Sequence, residues 1–515
     1  MFHLLLTLLI STATSKLCPS YPNPRNVHPT QLFQSPEVKA ALIEINDLFQ
    51  NASNTIPSGF IATIVFDQNT MFTKGYGYND IANKSNGPPT SQSLVRIASI
   101  TKVFTTMLMY ILRDASLITL EDTLKSLLPT FSMQRTTSDI TLRELASHTS
   151  GMPRELPYPC CAFTIESSQD QEQYPTTCNE TSILNILQHK PVISGTHRRF
   201  HYSNLGMALL GRALAHVNET GIQTGMQTAM QTYEEMVIQL ITQPLKMSNA
   251  TFNYNKTTQD RSAKGISKTT GKKVIIPYEK TCGFGAPAGC LWASAEDMEL
   301  LMKFLFRIDN LPSQDKETTD LDPLRKSTVA EMMAPSILMR NGYEAVGTPF
   351  EMQYIGNKYW TKGKQGELPG YRSSLTVIEE LKLGIFTSAL ISDTESNSVW
   401  TIEALNILAP AVDQALTRLQ PSAKLPTNYA MYVGKYYDGS VTIAVQKEQL
   451  IFTSSAGELN LIEVPEMDNM LRVQNLNDIG CRWLDDGTNN EIVSFVVVNS
   501  TVVAMEFMGS RYDKY

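Results

Sequence analysis

The amino-acid sequence predicts an α+β protein, in which one large mixed domain is followed by a small all-β domain. Three observations lead to this prediction. Segments of alternating apolar residues lie near both ends of the region before residue 420, helical patterns fill the region between them, and further alternating segments follow a short polar stretch at 420–428. Terminal strands that bracket a helical middle commonly share one antiparallel sheet against which the helices pack.

The N-terminal residues have the pattern of a secretory signal peptide. A short apolar run from Phe2 to Ile10 is followed by small residues. The run is shorter than the roughly 20 residues that cross a bilayer as a helix, and no later segment is long and apolar enough to do so. We predict a signal peptide at 1–16 and a Pro- and Asn-rich leader at 17–35. An uncleaved signal anchor stays open, because no basic residue precedes the apolar run.

The large domain is predicted to span 36–419. It begins with a helical pattern in PEVKAALIEINDLFQN, and GFIATIVFDQNTMFTKGYG is typical of two strands around a polar turn. Five helical patterns form its middle, at 103–115, 139–148, 205–217, 233–245 and 294–308. A strand hairpin at 373–390, turning at Glu379 and Glu380, and a helix at 399–416 complete it.

The second domain is predicted at 429–515, after a Pro-containing linker at 420–428. The segments VTIAVQ, QLIFTSS, EIVSFVVVN and TVVAMEFM alternate between apolar and polar residues as antiparallel strands do. We therefore expect a small β domain.

Composition excludes some partners. A net charge of -7 over 515 residues provides no basic field that would attract nucleic acid or an anionic membrane surface. The seven cysteines lack the spacing of a metal site, so we expect no metal. They favour disulfides within two groups, Cys160 with Cys161 and Cys178, and Cys282 with Cys290, whereas Cys18 and Cys481 lie far apart.

Seven N-x-S/T acceptor sites agree with a eukaryotic secretory route and a secreted, extracellular glycoprotein. They are Asn51, Asn83, Asn179, Asn218, Asn249, Asn255 and Asn499.

The first candidate catalytic element is Ser99 with Lys102. Three-residue spacing at the start of a helix with an apolar face places the hydroxyl and the amine on the same side of the first turn, where the amine can accept the hydroxyl proton. The same S-x-x-K spacing recurs at Ser313 and Lys316, in a charged stretch without an apolar face, where both are expected to be solvated surface residues.

The second and third elements are Tyr202 with Asn204, before an apolar helix, and Lys364 with Gly366, where a strand-like run meets a turn. A phenol near a lysine can relay a proton, and an Asn amide can bind a substrate carbonyl. Gly366 permits close approach of another group to the backbone, and Lys364 can bind a carboxylate. Each element by itself is as readily explained as a core, cap or surface residue.

Taken in order, these S-x-x-K, Y-x-N and K-x-G elements resemble the three active-site motifs of serine beta-lactamases and penicillin-binding proteins, of the class C and carboxypeptidase subtype. The similarity extends through framework segments such as ITLRELASHTSGMP and covers nearly all of 36–419. With the secretory features, the chain looks most like the animal beta-lactamase-like proteins, and 429–515 resembles the lipocalin-like β domain that follows many of these hydrolases.

The resemblance implies a beta-lactamase/transpeptidase-like fold, an antiparallel sheet flanked by a helical subdomain, and catalysis through an acyl-enzyme without a cofactor. Ser99 would be the nucleophile, and Lys102 and Tyr202 would carry the proton. Asn204, Lys364 and Gly366 would lie at the substrate, and the backbone N–H groups of Ser99 and Glu367 would form the oxyanion hole.

Three features depart from the family pattern. Glu367 stands where a small residue is usual, and its carboxylate would oppose an oxyanion. Lys364 stands where many related esterases have His, and it favours an anionic substrate end. A polar insertion from Arg154 to Thr181 with three cysteines is expected to form a disulfide-pinned flap near the cleft.

Two functions follow as hypotheses. The first is a secreted serine hydrolase of the peptidase, amidase or esterase type, acting on a small-molecule or peptide substrate that is not a penicillin in its physiological role. The alternative is a catalytically silent beta-lactamase-like binding or structural protein. The substrate, disulfide pairing and oligomeric state are left open by the sequence.

Overall fold

The computed structural model describes residues 21–134, 139–157, 178–197, 199–220, 232–266, 271, 283–307, 322–391, 397–420, 425–455, 457–464, 467–474 and 491–515. The chain divides into two compact units. Of the described residues, those within 33–412 form one unit, and those up to Leu32 together with those from Asp413 onward form the other.

The larger unit is organised around an eight-stranded antiparallel sheet. Its strands are β1 (Gly59–Phe66), β2 (Asn69–Gly77), β5 (Ile337–Leu338), β6 (Glu344–Val346), β7 (Glu351–Ile355), β8 (Tyr359–Leu368), β9 (Tyr371–Ile378) and β10 (Leu383–Ala389). Their order across the sheet is β2-β1-β10-β9-β8-β7-β6-β5, so that the first strand of the unit pairs directly with its last. Phe60 of β1 lies opposite Ala389 of β10 in this register. A separate pair joins β3 (Val95–Arg96) to β4 (Trp292–Ala293).

Helices cover this sheet and form a helical subdomain between β2 and β5. The α-helices among the described residues of both units are α1 (Pro29–Gln34), α2 (Pro36–Thr55), α3 (Thr101–Asp114), α4 (Leu124–Leu127), α5 (Leu142–Ala146), α6 (Glu180–Leu187), α7 (Asn204–Thr220), α8 (Tyr233–Val237), α9 (Lys256–Arg261), α10 (Ala286–Gly289), α11 (Ala295–Phe306), α12 (Lys326–Met332), α13 (Asn397–Leu419) and α14 (Tyr429–Tyr432). A π-helical turn at Ile238–Thr242 continues α8. Capping boxes define three of the helix starts, Thr141 with Glu144 at α5, Thr232 with Glu235 at α8 and Ser294 with Asp297 at α11.

The core of the larger unit centres on α3, which is buried on almost every side. Every residue from Thr101 to Tyr110 is buried. A helix this apolar cannot lie on a surface, and it packs against α7, whose residues Leu205–Leu210 are also buried. The fold therefore fixes the start of α3 rigidly inside the unit.

The smaller unit holds an eight-stranded up-and-down antiparallel sheet. Its strands are β11 (Gly434–Tyr436), β12 (Val441–Gln446), β13 (Gln449–Ser454), β14 (Gly457–Glu463), β15 (Met470–Gln474), β16 (Ile492–Val498), β17 (Thr501–Phe507) and β18 (Ser510–Asp513). They follow one another in sequence order across the sheet, and an antiparallel bridge between Tyr436 and Lys514 joins its two edges. Apolar side chains such as Tyr436, Val473 and Met505 fill its interior, so the sheet is barrel-like with a packed core.

The structure confirms the predicted α+β class and the C-terminal β-barrel-like domain, and it adds strands that the sequence analysis did not predict. Helix α5 is shorter than the predicted 139–148, because the chain turns at Ser147 and His148 adopts φ of 58°. No helix in the described part of the chain is both long and apolar enough to span a bilayer.

Several predictions concern residues outside the described ranges. These are the signal peptide at 1–16, most of the expected flap, the second S-x-x-K at Ser313 and Lys316, and five of the cysteines, Cys18, Cys160, Cys161, Cys282 and Cys481. The disulfide pairings therefore stay predictions.

Candidate active site

Ser99 lies in a single 3-10 turn, Ala98–Ile100, which directly precedes α3. Ala98 adopts φ of 48°, in the left-handed region that residues with a side chain rarely occupy. The turn is anchored by hydrogen bonds from Ile97 N to Leu291 O at 3.2 Å and from the Thr101 hydroxyl to Ala98 O at 2.6 Å. These hydrogen bonds hold the strained backbone of the turn, and with it Ser99, in one position.

Lys102 is fully buried in the first turn of α3, and three acceptors surround its Nζ. It donates to Ser99 Oγ at 2.9 Å, to Asn204 Oδ1 at 2.7 Å and to the carbonyl of Ala288 at 2.6 Å. Burial lowers the pKa of Lys102; the Tyr202 phenol opposes this effect and Lys364 adds to it.

This arrangement prepares Lys102 to act as a base. When the ammonium loses a proton, the remaining two N–H groups can stay on Asn204 Oδ1 and Ala288 O, and the nitrogen lone pair is then directed at the Ser99 hydroxyl. A neutral amine 2.9 Å from Oγ is within reach of the proton it must accept.

Tyr202 is held between cations and a buried imidazole. Its ring centroid lies 4.9 Å from the Nζ atoms of both Lys102 and Lys364 and 5.1 Å from the guanidinium carbon of Arg154. Burial would raise the pKa of the phenol, but Lys102 and Lys364 outweigh that effect and the pKa is lowered. The phenol is therefore more acidic than an ordinary tyrosine, as a proton relay requires.

The imidazole of His148 packs against the ring of Tyr202. The two rings lie 4.5 Å apart between centroids at 31°, and His148 Nδ1 accepts the backbone N–H of Ser203 at 3.1 Å. Burial, with the charges of Lys102 and Lys364 next in importance, lowers the pKa of His148 well below its ordinary value. The imidazole is thus a neutral structural support with its proton on Nε2.

Asn204, at the first position of α7, connects the base to an acidic residue. Its Oδ1 accepts from Lys102, and its Nδ2 lies 3.0 and 2.8 Å from the two carboxylate oxygens of Glu155. The amide nitrogen that the sequence analysis assigned to a substrate carbonyl therefore already faces a carboxylate.

Lys364, on β8, is likewise paired. It is buried, and its Nζ donates to Glu351 Oε1 on β7 at 2.5 Å. Burial would lower the pKa of Lys364, but Glu351 and Tyr202 together outweigh that effect and the pKa is raised, so Lys364 remains an ammonium. An anionic substrate end would have to share this cation with Glu351.

Gly366 lies directly against the Ala98–Ile100 turn that carries Ser99, the nucleophile turn. A β-carbon at this position would be 2.2 Å from Ile97 O and 2.9 Å from the Ala98 β-carbon. Only glycine lets β8 approach the turn this closely. Next to it, the Glu367 carboxylate forms an ion pair with Arg372 at 3.0 Å, which offsets its negative charge.

The cleft around these residues has a volume of about 1020 Å³, enough for a peptide-sized ligand. Ser99, Tyr202, Asn204, Lys364, Gly366 and Glu367 all line it, and Lys102 lies behind Ser99. Every residue that the sequence analysis placed in the site is brought together by the fold.

The sequence analysis did not identify Glu155, Glu351 or His148 as parts of the site. Each lies outside the three motifs, although His148 falls in the framework segment ITLRELASHTSGMP and Glu155 falls in the polar insertion from Arg154 to Thr181. Within the described ranges, no three His, Cys, Asp or Glu side chains gather as a metal site.

Comparisons with known proteins identify the family. The family model described as Beta-lactamase matches residues 45–408. The chain is 32% identical over 526 residues to beta-lactamase-like protein 2 of Dictyostelium discoideum, covering 95% of this chain and 88% of that protein.

Two solved structures share the fold. The octameric penicillin-binding protein homologue from Pyrococcus abyssi matches with a TM-score of 0.58 and 18% identity, covering 92% of this chain and 100% of that one. The D-stereospecific amidohydrolase from Streptomyces sp. matches with a TM-score of 0.55 and 19% identity, covering 71% and 97%. Motifs, fold and family match agree, and the chain belongs to the beta-lactamase family, within the beta-lactamase/transpeptidase-like superfamily of serine hydrolases.

Proposed function

We propose that this protein is a serine hydrolase that forms an acyl-enzyme at Ser99 with an amide, peptide or ester substrate. The observation that carries the proposal is the set of hydrogen bonds around Lys102 Nζ. Asn204 Oδ1 and Ala288 O accept two of its three hydrogen bonds, and the third is directed at Ser99 Oγ. A buried lysine with a lowered pKa beside a serine hydroxyl is the arrangement that activates a nucleophile.

The reaction proceeds in two halves. Ser99 Oγ attacks the substrate carbonyl carbon as its proton passes to Lys102 Nζ, and the backbone N–H groups of Ser99 and Glu367 stabilise the oxyanion. The bond to the leaving group breaks, and that group takes the proton through Tyr202. Water then attacks the Ser99 ester, gives its proton to the same residues, and releases the acid with Ser99 restored.

We further propose that the protein is secreted, glycosylated and disulfide-bonded. The N-terminal apolar run, the acceptor asparagines and the clustered cysteines support this proposal. A secreted eukaryotic protein has no evident need to destroy penicillins, so the proposed substrates are other amides, peptides or esters.

A catalytically silent binding protein is the second candidate. Two substrate-binding donors expected from the motifs, the Asn204 amide and the Lys364 ammonium, already pair with Glu155 and Glu351. A protein that kept the fold without turnover would tolerate such pairs, and this is the observation that favours it.

Covalent labelling separates the two candidates. The purified full-length protein is treated with a fluorophosphonate and, separately, with a fluorescent penicillin, and the adduct is mapped by peptide mass spectrometry. We expect an adduct on Ser99 that is absent from Ser99→Ala and from Lys102→Ala. Ser313→Ala is the matched control, since Ser313 has the same spacing to a lysine, and it should label like the wild type. Folded protein without an adduct from either probe would favour the binding protein.

A further inference from the structure

The charges that line the cleft point to the kind of substrate it takes. Among the described residues, three cations line it, and each lies against a carboxylate. The pairs are Lys364 with Glu351 at 2.5 Å, Arg372 with Glu367 at 3.0 Å, and Arg154 with Glu155 at 3.2 Å. A fourth carboxylate, Glu344, lines the cleft too. Each of these cations therefore already faces a carboxylate, and an anionic substrate group would have to compete with that partner.

Glu155 is the carboxylate most closely connected to the reacting residues. Both of its oxygens face Asn204 Nδ2, and Asn204 Oδ1 binds Lys102, which binds Ser99. One amide thus joins Glu155 to the nucleophile's base. The Glu155 side chain is 33% exposed and lines the cleft, so a bound molecule can reach it.

The chemistry of Glu155 selects a hydrogen-bond donor. A carboxylate accepts hydrogen bonds and donates none, and its two oxygens provide about four acceptor positions. Asn204 and Arg154 leave part of that capacity open. The ion pair with Arg154 joins neighbouring residues, and the Arg154 side chain is 63% exposed, so it competes weakly for the site.

We propose that the substrate carries a free ammonium group beside its scissile carbonyl, as the N-terminal residue of an aminoacyl amide, peptide or ester does, and that Glu155 binds this ammonium. Phe200 and Ile402 line the same cleft and suit an apolar side chain on that residue. The proposal deepens the proposed function, on which its turnover arm rests; its binding arm does not require turnover.

The covalent step is that of an aminoacyl transfer. Ser99 Oγ forms the ester bond with the aminoacyl carbonyl carbon, the carbonyl-to-leaving-group bond breaks, and the leaving group departs with the Ser99 proton. Water then releases the free amino acid. The ammonium stays intact throughout, and its role is to place the carbonyl next to Ser99.

The binding arm uses the full-length Ser99→Ala variant, in which chemistry is prevented. Calorimetry compares phenylalaninamide with N-acetyl-phenylalaninamide, in both enantiomers, at pH 6.5. We expect phenylalaninamide to bind at least about tenfold more tightly, because only its ammonium can form a charge-assisted hydrogen bond with Glu155. The preference should disappear at pH 9.5, where an α-amino group with a pKa of about 8 is neutral.

Substitution then tests the residue. In Ser99→Ala with Glu155→Gln, the preference should fall to within about twofold, since glutamine keeps an acceptor for Asn204 but loses the charge. Glu344→Gln is the matched control, because it removes another cleft carboxylate of the same charge, and it should keep the preference. Thermal unfolding verifies that each variant is folded.

The turnover arm measures kcat/KM of Ser99-containing protein on phenylalanine p-nitroanilide and its N-acetyl form. The same preference, and its loss in Glu155→Gln, would support the proposal. Tighter binding of the acetylated ligand, binding of neither ligand, or equal loss in Glu344→Gln would overturn it. A binding preference without any Ser99 adduct would retain the ammonium site and reject the hydrolase.

Discussion

Gly366 approaches Ser99 so closely that a β-carbon on Gly366 would lie 2.8 Å from the Ser99 backbone nitrogen. Real β-carbons are not found at that distance from a backbone atom, so strand β8 reaches the nucleophile turn only because residue 366 has no side chain. The contact brings the strand that carries Glu367 against the turn that carries Ser99, and the proposed oxyanion hole of these two backbone N–H groups depends on that approach.

The first prediction concerns Gly366→Ala. The new methyl group must displace β8 or the nucleophile turn, which should cost about 1–3 kcal/mol of stability and about 10² to 10³ in acylation rate. Unfolding in urea and the rate of fluorophosphonate labelling measure the two effects. Gly363→Ala is the control, because its β-carbon would meet Leu375 O and Thr376 Oγ1 at 2.9 Å and not the nucleophile turn. An equal loss of labelling in both variants would contradict the oxyanion explanation.

The second prediction concerns the pH dependence of acylation. Because burial lowers the pKa of Lys102, the labelling rate of Ser99 should rise about tenfold per pH unit on the acid side. It should then level off below 10.4, the pKa of an exposed lysine. In Tyr202→Phe the labelling rate should fall by about 10² to 10⁴, as for loss of a general acid. The rise of the rate with pH on the acid side, the pH limb, should persist in this variant.

A disappearance of the pH limb in Tyr202→Phe would instead identify the Tyr202 phenolate as the base. Lys102→Ala should show neither the rate nor the limb. Both variants are needed because Lys102 and Tyr202 interact and titrate as a pair. Only removal of each group in turn shows which of them causes the rise of the rate with pH.

The third prediction concerns stability and His148. The pKa of His148 is far below its ordinary value in the folded state, so below pH 6.5 the unfolded chain takes up a proton that the folded protein does not. Stability should therefore fall as pH falls, and between pH 7 and 5.5 this one group should cost about 1 kcal/mol. Urea unfolding at each pH measures this loss.

His148→Asn is the variant that isolates this effect. Asparagine tolerates the left-handed backbone at φ of 58°, and its side-chain oxygen can accept the Ser203 N–H. The variant should lose the pH-dependent cost and, without the ring behind Tyr202, should label about tenfold more slowly. An unchanged pH dependence would show that the loss arises elsewhere.

The fourth prediction concerns glycosylation. Asn51, Asn83 and Asn499 are exposed, whereas the Asn249 amide is partly buried, with its Nδ2 donating to Ser294 Oγ at 3.2 Å. A glycan on Nδ2 needs open space, so the first three should be modified and Asn249 should not. Glycopeptide mapping after expression in a secretory host tests this. Full occupancy at Asn249, or none at the three exposed sites, would contradict it.

Much of the fold could be predicted from periodicity. The apolar residues around a polar turn in 59–77 predict β1 and β2, and the apolar pattern after Ser99 predicts α3, since such patterns depend on local spacing alone. Strand β8 was only partly predicted. It contains Lys362, Lys364 and three polar neighbours in YWTKGKQGEL, and its buried Lys364 is stabilised by Glu351 on another strand.

The sequence alone was enough to pair Ser99 with Lys102, because three-residue spacing across the 3-10 turn and the start of α3 places both side chains on one side. It also determined the order of the three motifs and the place of Gly366. The charge character of the cleft was decided only by the tertiary structure. Glu155 meets Asn204 across 49 residues of chain, and Glu351 meets Lys364 between strands. Those contacts depend on which side chains the fold brings within hydrogen-bond distance, and this depends on packing rather than on local spacing.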